Sequence, residues 1–298
     1  MKRFGARLAA AVAERGPLCV GLDPHPSLLR DWGLPDDPYG LAEFGRTVVE
    51  ALAERVPVIK PQSAFYERFG SLGISVLEST IRQLREAGAL VLLDVKRGDI
   101  GSTATAYADA YLDPASPLWA DAITASPYLG VGSLRPMIDK ALAHGCGVFV
   151  LALTSNPEGA AVQRARRADG RTVAQAVIDE VAQFNAGVDP LGDIGVVIGA
   201  TVGSTDHDLT VLNGPILAPG LGAQGAQASD LPARYADAVS AVLPSYSREL
   251  LAHGPTVAGL RDAADRLLVA CRDTIRPIGR TTAHTTSGSG VAENARDR

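Results

Sequence analysis

Eight short apolar runs recur along the chain, and longer stretches with helical periodicity separate them. Apolar runs of four to seven residues are typical of strands that are buried on both faces. They cover residues 18–22, 56–60, 89–95, 120–125, 147–153, 194–199, 215–218 and 241–244. Strands and helices that alternate in this way predict a parallel sheet, and eight repeats favour a closed barrel over an open doubly wound sheet. The pattern therefore predicts the α/β class and a single (β/α)8 TIM barrel, with functional side chains at the carboxyl ends of its strands.

Apolar residues three or four positions apart predict amphipathic helices between these runs. The predicted helical faces are Phe4, Leu8 and Val12; Leu41, Phe44, Val48 and Leu52; Ile74, Leu77, Ile81 and Leu84; Val173, Val177, Val181 and Phe184; and Val257, Leu260, Ala264, Leu267 and Cys271. Gly88 is expected to end the third of these helices. Thr172 and Gln175 form a capping-box pattern at the start of the fourth.

The length of 298 residues and the hydrophobic content of 46% allow one large core. Barrels of this class with about 250 residues are single domains. Residues 281–290 are rich in Thr, Ser and Gly, and the polar composition of the C-terminus is typical of disorder. We therefore predict a barrel domain over residues 1–273 and a flexible, disordered tail over residues 274–298.

The net charge of −5 includes no block of like charges, so the sequence predicts no nucleic-acid or anionic-membrane partner. No apolar run approaches the roughly 18 residues of a membrane span. The apolar stretch 8–13 is too short for a signal peptide, so we expect a cytoplasmic protein. Cys19, Cys146 and Cys271 lack C-x-x-C spacing and are interpreted as structural thiols, and the histidines show no metal-ligand spacing.

The third predicted strand ends in charged residues. Asp94 and Lys96 are two residues apart and therefore share a face, which is the barrel interior if apolar Val95 faces the helices. An Asp and a Lys buried side by side have to be paired. Lys60 ends the neighbouring strand, and Asp99 lies in the loop beyond, where it can reach over the barrel mouth. The residues alone are compatible with a structural ion-pair network and with a charged active site.

A glycine-rich loop, PGLGAQG over residues 219–225, follows the seventh predicted strand. Its G-x-G-x-x-G spacing is also that of a dinucleotide-binding loop, but it comes late in the chain and no clear helix start follows it. Loops after the seventh and eighth strands of a barrel commonly bind phosphate, and glycine N–H groups can approach the anion closely. We therefore predict that this loop binds a phosphate group.

The wording DVKRGDIGST of residues 94–103 and the strand end Lys60-Pro61-Gln62 resemble the longer bacterial branch of the orotidine 5'-phosphate decarboxylase family. The similarity extends over roughly residues 20–248 and includes several separated motifs in the family's order. The resemblance implies decarboxylation of orotidine 5'-phosphate to UMP and CO2, the last step of de novo UMP synthesis. It also implies a homodimer that uses no cofactor and no metal.

The resemblance assigns Lys60, Asp94, Lys96 and Asp99 to an alternating charge network. In the family, the residue that matches Asp99 reaches into the site of the partner subunit. Because no cofactor acts as an electron sink, the protein itself must stabilise the carbanion at C6. A lysine between two carboxylates is expected to keep its proton. This favours Lys96 as the cation that stabilises and then protonates C6, and disfavours it as a Schiff-base nucleophile.

Three further residues match the family's contacts with the nucleoside. Asp23 resembles the acceptor of a ribose hydroxyl, and Thr103 resembles a residue that contacts ribose across the dimer interface. Ser155 resembles the residue that hydrogen-bonds the pyrimidine. From the residues alone, Asp23 is also compatible with an ordinary turn before proline, and Ser155 with a capping hydroxyl.

The phosphate contacts of the family match residues near the C-terminal end of the predicted barrel. Gln224 and Gly225 lie in the glycine-rich loop, and Arg248 follows the eighth predicted strand. A guanidinium suits bidentate contact with phosphate. From the residues alone, Arg248 is also compatible with a solvated surface arginine. Ala226 stands where many members of the family have a further glycine.

Two other functions remain open at this point. Related barrels that decarboxylate sugar phosphates through an enediolate also carry a D-x-K-x-x-D strand end, but they need a divalent metal. A barrel that only binds a nucleoside monophosphate needs the phosphate loop and has no reason to bury alternating charges. Metal removal and the loss of orotidine absorbance distinguish these functions. The polar stretch 157–170 is a candidate for the loop that closes over the base.

Overall fold

The computed structural model describes residues 2–202 and 207–275 and contains a closed barrel of eight parallel strands. The strands are β1 (Cys19–Leu22), β2 (Val58–Pro61), β3 (Leu90–Arg97), β4 (Ala122–Ala125), β5 (Gly147–Leu153), β6 (Ile194–Ile198), β7 (Ile216–Pro219) and β8 (Val242–Tyr246). Consecutive strands are neighbours, and β8 closes the barrel onto β1. The predicted (β/α)8 barrel is confirmed, and no strand end differs from its prediction by more than two residues.

Helices surround the barrel or cross its ends. Those of the described residues are α1 (Phe4–Arg15), α2 (Pro26–Asp31), α3 (Pro38–Leu52), α4 (Ala64–Glu67), α5 (Gly70–Glu86), α6 (Gly101–Leu112), α7 (Arg135–His144), α8 (Ala160–Gln163), α9 (Val173–Phe184), α10 (Leu231–Tyr235), α11 (Arg248–Leu251) and α12 (Val257–Thr274). Short 3-10 segments lie at Val131–Leu134, Pro157–Gly159, Ala228–Asp230 and Ala236–Ala241. The five amphipathic helices predicted from the sequence correspond to α1, α3, α5, α9 and α12.

Apolar side chains form two cores, one on each face of the sheet. The larger core packs the outer face of the barrel against the helices. The smaller core fills the amino-terminal half of the barrel interior with side chains such as Val58, Leu92 and Phe149. Helix α1 closes that end, where Phe4 meets Phe149 edge to face with the ring centroids 5.9 Å apart. Burial on both faces explains why the strands are nearly continuous apolar runs in the sequence.

The inward positions become polar two residues further along the same strands. The lower inward layer contains Val58, Leu92, Ala122 and Leu243. The layer above it contains Lys60, Asp94, Thr124 and Ser245, all of them buried. Because side chains alternate across a strand, each polar residue lies directly above an apolar one on the same strand. The fold therefore places polar and charged groups at the carboxyl end of a barrel whose other end is filled.

Two predicted helix boundaries, the end of α5 and the start of α9, are set by the residue types found there. Helix α5 ends two residues before Gly88, which has the left-handed φ of 87° that was expected of a helix stop. Thr172 caps α9 by accepting a hydrogen bond from the N–H of Gln175. The Gln175 side chain does not complete the predicted capping box. It bonds the backbone N–H and C=O of Asp208 instead, which ties α9 to a distant loop.

The described part of the chain ends just after the last helix. Helix α12 continues through Thr274, one residue past the predicted domain boundary, and Ile275 is still buried. The rest of the predicted tail, residues 276–298, lies outside the described residues. The three cysteines are free and buried, as expected of structural thiols. In the described part of the chain, no helix has the length and apolar character that a membrane crossing requires.

Candidate active site

The strand that carries Asp94 and Lys96 loses its regular pairing at these residues. Between Leu93 and Arg97, β3 advances four residues while β4 advances two. Within this bulge Lys96 has a φ of 45°, which few residues other than glycine adopt. The N–H of Lys96 donates to the hydroxyl of Thr124 at 2.9 Å. Bulges of this kind are common next to active sites, where they redirect a side chain.

Asp94 lies between two lysines. The Nζ of Lys96 is 2.6 Å from Oδ1, and the Nζ of Lys60 is 3.2 Å from Oδ2, so each carboxylate oxygen holds one ammonium. The side chains of Lys60 and Asp94 are only 7% and 8% exposed, whereas that of Lys96 is 47% exposed at the barrel mouth. The structure thus brings together three of the four charges that the sequence singles out.

The lysines keep Asp94 ionised. Burial raises the pKa of Asp94, but the charges of Lys60 and Lys96 outweigh burial and set that pKa at about 2. Burial alone would lower the pKa of Lys60. The carboxylates of Asp23 and Asp94 raise that pKa by more than burial lowers it, so the pKa of Lys60 lies above its usual value. Asp94 and Lys60 therefore remain a charged pair across the neutral pH range.

Asp99 and Thr103 do not join this cluster within one chain. The carboxylate of Asp99 accepts a hydrogen bond from the N–H of Ile100 at 2.8 Å, just before α6. Thr103 is exposed in the first turn of α6. Neither residue lines the two cavities that adjoin the charged cluster. The fourth predicted charge therefore stands apart from the other three.

A cavity of about 320 Å³ opens above the charged residues of β2 and β3. Asp23, Gln224 and Arg248 line it from the loops after β1, β7 and β8. Gly225 follows Gln224 in the same loop. These residues converge because the carboxyl ends of parallel strands meet at one end of a barrel. The cavity volume lies in the range of small-molecule sites.

The glycine-rich loop after β7 folds back on itself. Gly220, Gly222 and Gly225 all have left-handed φ values of 101°, 71° and 103°. The N–H of Gly222 donates to the carbonyl of Ala226 at 2.8 Å, and the loop continues into the 3-10 turn Ala228–Asp230. A dinucleotide-binding loop would open directly into a helix, so the structure argues against that alternative. Ala226 is buried without a positive φ, so the loop accommodates its methyl group.

Several polar groups on the cavity wall have no protein partner among the described residues. Oδ1 of Asp23 and Oγ of Ser247 are buried without a hydrogen bond. The exposed guanidinium of Arg248 likewise makes no ion pair or hydrogen bond within residues 2–202 and 207–275. Buried polar groups are nearly always satisfied, so the oxygens of Asp23 and Ser247 are available to bond a molecule in the cavity, and the guanidinium of Arg248 is free to contact an anion.

His25 also lines this cavity, and sequence reasoning misses it. Its ring packs against that of Phe65, with the centroids 4.4 Å apart. Burial lowers the pKa of His25, and the nearby charge of Arg248 lowers it further while that of Asp23 raises it. His25 thus shares one cavity wall with Asp23 and Arg248. The only signal in the sequence is its position two residues after Asp23.

A smaller compartment of about 160 Å³ adjoins the larger cavity and shares Lys60, Asp94 and Pro219 with it. Lys96, Thr124 and Ser155 contribute polar groups to its wall. Its apolar wall consists of Leu151, Val197 and Leu217. Ser155 thus lies at the barrel mouth after β5, on the wall of this compartment.

The polar segment 157–170, predicted as a loop, contains two short helical turns. They are Pro157–Gly159 and α8. The side chain of Gln163 in α8 accepts a hydrogen bond from the N–H of Thr154 at 2.9 Å. This contact holds the segment against the end of β5, next to the compartment that Ser155 lines.

Metal-binding side chains are not clustered in the part of the chain that the structure describes. No group of three or more His, Cys, Asp or Glu side chains there is placed to hold a metal ion. Both oxygens of Asp94 already hold ammonium groups. A metal ion bound to Asp94 would have to displace those cations.

The sequence profile of the orotidine 5'-phosphate decarboxylase / HUMPS family matches residues 16–263. The chain belongs to this family. It is 71% identical over 272 residues to the orotidine 5'-phosphate decarboxylase of Salinispora arenicola, covering 91% of this chain and 98% of that protein. The protein of the same name from Streptomyces coelicolor is 58% identical over 276 residues, covering 92% and 99%.

Solved structures of similar proteins share the barrel. A crystal structure from Streptomyces avermitilis has a TM-score of 0.90 and 58% identity, covering 92% of this chain and 96% of that one. The orotidine 5'-phosphate decarboxylase, or OMP decarboxylase, of Leishmania donovani has a TM-score of 0.71 and 32% identity, covering 91% and 98%. The family match includes all eight strands and therefore every strand end that carries the site.

Proposed function

We propose that this chain decarboxylates orotidine 5'-phosphate to UMP and CO2 without metal or cofactor, the last step of de novo UMP synthesis. One observation carries the proposal. The buried carboxylate of Asp94 holds the ammonium of Lys96 at the barrel mouth, while Lys60 balances the charge from below. The names of the similar proteins agree with this reaction.

The reaction breaks the bond between C6 of the pyrimidine and its carboxylate. As CO2 leaves, the electron pair of that bond stays on C6, and the carbanion then takes up one proton. In our proposal the ammonium of Lys96 stabilises the developing negative charge and afterwards donates its proton to C6. Because the side chain of Lys96 is half exposed, solvent can return the proton after each turnover.

Asp94 and Lys60 serve to fix the proton donor. A cation that is already in position requires no reorganisation when negative charge develops on the substrate. Asp94 supplies that fixed position through its 2.6 Å contact with Lys96. A buried carboxylate without enough compensating charge is strongly unfavourable, and Lys60 provides the compensation.

We propose that the larger cavity binds the nucleotide with its phosphate at Arg248 and the loop of Gln224 and Gly225. The ribose hydroxyls then meet the unpartnered oxygen of Asp23. The pyrimidine lies toward Ser155, over Lys60 and Asp94, which line both compartments. Because the phosphate is remote from C6, its binding energy serves to orient the substrate and close the site.

We further propose a homodimer in which Asp99 and Thr103 complete the site of the partner subunit. Both lie outside the charged cluster of their own chain. Apolar side chains are exposed in the same loop and in the loop after β4, with Ile100 62%, Tyr128 82% and Leu129 53% exposed. Exposed apolar groups that adjoin one another are typical of protein interfaces. The loops that carry them follow the neighbouring strands β3 and β4.

A complementation experiment tests this shared site. Asp99→Asn and Lys96→Ala should each be nearly inactive alone. A mixed dimer contains one site with both native residues, so co-refolding equal amounts should restore about a quarter of wild-type activity if the interface is isologous. Mixtures as inactive as the separate variants, or a monomer by light scattering, would contradict the dimer.

The decisive experiment for the reaction is to mix purified protein with orotidine 5'-phosphate and follow the orotidine absorbance. The proposal predicts loss of that absorbance, formation of UMP, and no change after treatment with a chelator. Loss that stops after metal removal favours the metal-dependent sugar-phosphate type of chemistry. Binding of UMP without turnover favours a nucleotide-binding barrel.

Two further predictions rest on the sequence alone. They are a cytoplasmic location and the lack of a nucleic-acid partner.

A further inference from the structure

Thr124 is buried at the end of β4, with its hydroxyl directed at the charged cluster. The hydroxyl donates to Oδ1 of Asp94 at 2.7 Å. It also accepts a hydrogen bond from the backbone N–H of Lys96 at 2.9 Å. A single hydroxyl thus bonds the carboxylate that holds the ammonium and the backbone from which that ammonium extends.

The bulge in β3 explains why the backbone N–H of Lys96 bonds a side chain of β4 and not its backbone. Pairing with β4 is interrupted between Leu93 and Arg97, and the hydroxyl of Thr124 takes the N–H of Lys96. Lys96 also has a left-handed φ of 45°, a conformation that persists only where the surroundings enforce it. The hydroxyl is a contact that enforces this conformation from the neighbouring strand.

We infer that Thr124 is a positioning residue that sets the direction of the Lys96 ammonium through its bonds to Asp94 and to the Lys96 backbone. The inference rests on the proposed role of Lys96 as proton donor. Without the hydroxyl, Oδ1 of Asp94 keeps only the ammonium of Lys96, and the bulged backbone loses its cross-strand bond. The ammonium is then free to leave the direction that proton transfer requires, while the nucleotide contacts in the other loops stay intact.

The test compares Thr124→Val, which keeps the shape but removes the hydroxyl, with Thr124→Ser, which keeps the hydroxyl. Loss of a hydrogen bond to a charged group corresponds to about 10- to 100-fold in rate. We expect Thr124→Val to lower kcat for orotidine 5'-phosphate by that factor, with KM and the Kd of UMP within about threefold of wild type. Thr124→Ser should restore kcat to within about threefold.

Thr80→Val provides a matched control. Thr80 is also a buried threonine, and its hydroxyl donates to the carbonyl of Val76 within α5, outside the site. A general effect of burying valine in place of threonine would appear in this variant too. We expect its kcat to equal that of the wild type, and melting temperatures show whether each variant is folded.

Equal kcat values for Thr124→Val and wild type would overturn the inference, as would a Thr124→Ser variant as slow as Thr124→Val. A parallel loss of kcat and UMP affinity would also overturn it, because a positioning role predicts a loss in kcat alone. If Thr124→Val does not fold, Thr124→Ala replaces it with the same expectations. A wild-type protein without decarboxylase activity would refute the proposed function, whereas an active wild type with an unaffected Thr124→Val refutes only the role of Thr124.

Discussion

The two halves of the barrel interior are built from the same strands but have opposite chemical character, one apolar and one charged. In the amino-terminal half, Val58 on β2 and Leu92 on β3 pack with Phe149 into a filled apolar core. Two residues further along the same strands, Lys60 and Asp94 face the same interior as a charged pair. A step of two residues, roughly 7 Å along a strand, therefore separates a structural layer from a reactive one.

The comparison shows how a buried charged cluster is tolerated. The lower layer has no polar group to satisfy, and helix α1 seals it. In the upper layer every charge has an opposite charge in contact, and the remaining unpartnered groups face the cavity. Packing thus dominates below and electrostatic pairing above. Substitutions in the two layers should therefore separate stability from activity.

The largest effect is expected in the upper layer from Lys96→Ala. Removal of both the proton donor and the stabilising cation should lower kcat on the order of 10⁴-fold or more. UMP binding and the melting temperature should change little, as measured by calorimetry. Lys140→Ala, which removes an ion-paired lysine on α7, is the control and should turn over normally. Near-normal turnover of Lys96→Ala would refute the proton-donor role.

The converse effect is expected in the lower layer from Phe149→Ala. Its fully buried ring contacts Phe4, so its loss should reduce the free energy of unfolding by about 3–5 kcal/mol. Urea titration measures the loss, and kcat of the folded fraction should stay within a few-fold of wild type. Tyr39→Ala, at a ring that is 66% exposed, is the control. A large fall in kcat without loss of stability would show that the two layers are not separable.

Stability at low pH provides a smaller test of the paired layer. The pKa of Asp94 in the folded chain, about 2, lies below the value near 3.9 of an unfolded chain. Its ionisation therefore stabilises the fold above about pH 4, and this contribution is lost as the pH falls toward 2. Wild type should exceed Asp94→Asn by about 2 kcal/mol at neutral pH and approach it near pH 2. A difference independent of pH would argue against the ion pair.

At the phosphate end, Arg248→Ala is expected to affect ligand binding and not the chemical step. Loss of a charged hydrogen bond should weaken UMP binding by about 10- to 100-fold while leaving kcat at saturation nearly unchanged. Arg55→Ala removes a partly exposed, ion-paired arginine elsewhere and should bind UMP normally. Unchanged affinity of Arg248→Ala would count against the assigned phosphate site.

The sequence predicts the barrel well because its strands are buried on both faces. Where the sequence of a strand becomes polar, the predicted strand ends before the observed one. Strand β3 was expected to stop at Val95 and continues to Arg97, and β8 continues through Ser245 and Tyr246 beyond the predicted end at residue 244. These extensions include Lys96 and Ser245, which line the cavities at the mouth, so the least regular part of the pattern falls at the site.

The site is predicted less completely, for identifiable physical reasons. The pairing of Asp94 with Lys96 follows from alternation along one strand. The bulge and its bond to Thr124 depend on the neighbouring strand, which no local pattern reveals. His25 has no periodic signal, and the place of Asp99 requires a second chain in our proposal. Contacts between distant segments are thus the part that sequence reasoning misses.

A crystal structure of the protein with UMP bound tests the central claim most directly. The account predicts that the ammonium of Lys96 lies within about 3.5 Å of C6, the contact distance of a reacting pair, while still bonded to Asp94. The phosphate should lie at Arg248 and Gln224. A complex in which the Lys96 ammonium has turned away from Asp94, or in which C6 lies far from it, would contradict the account.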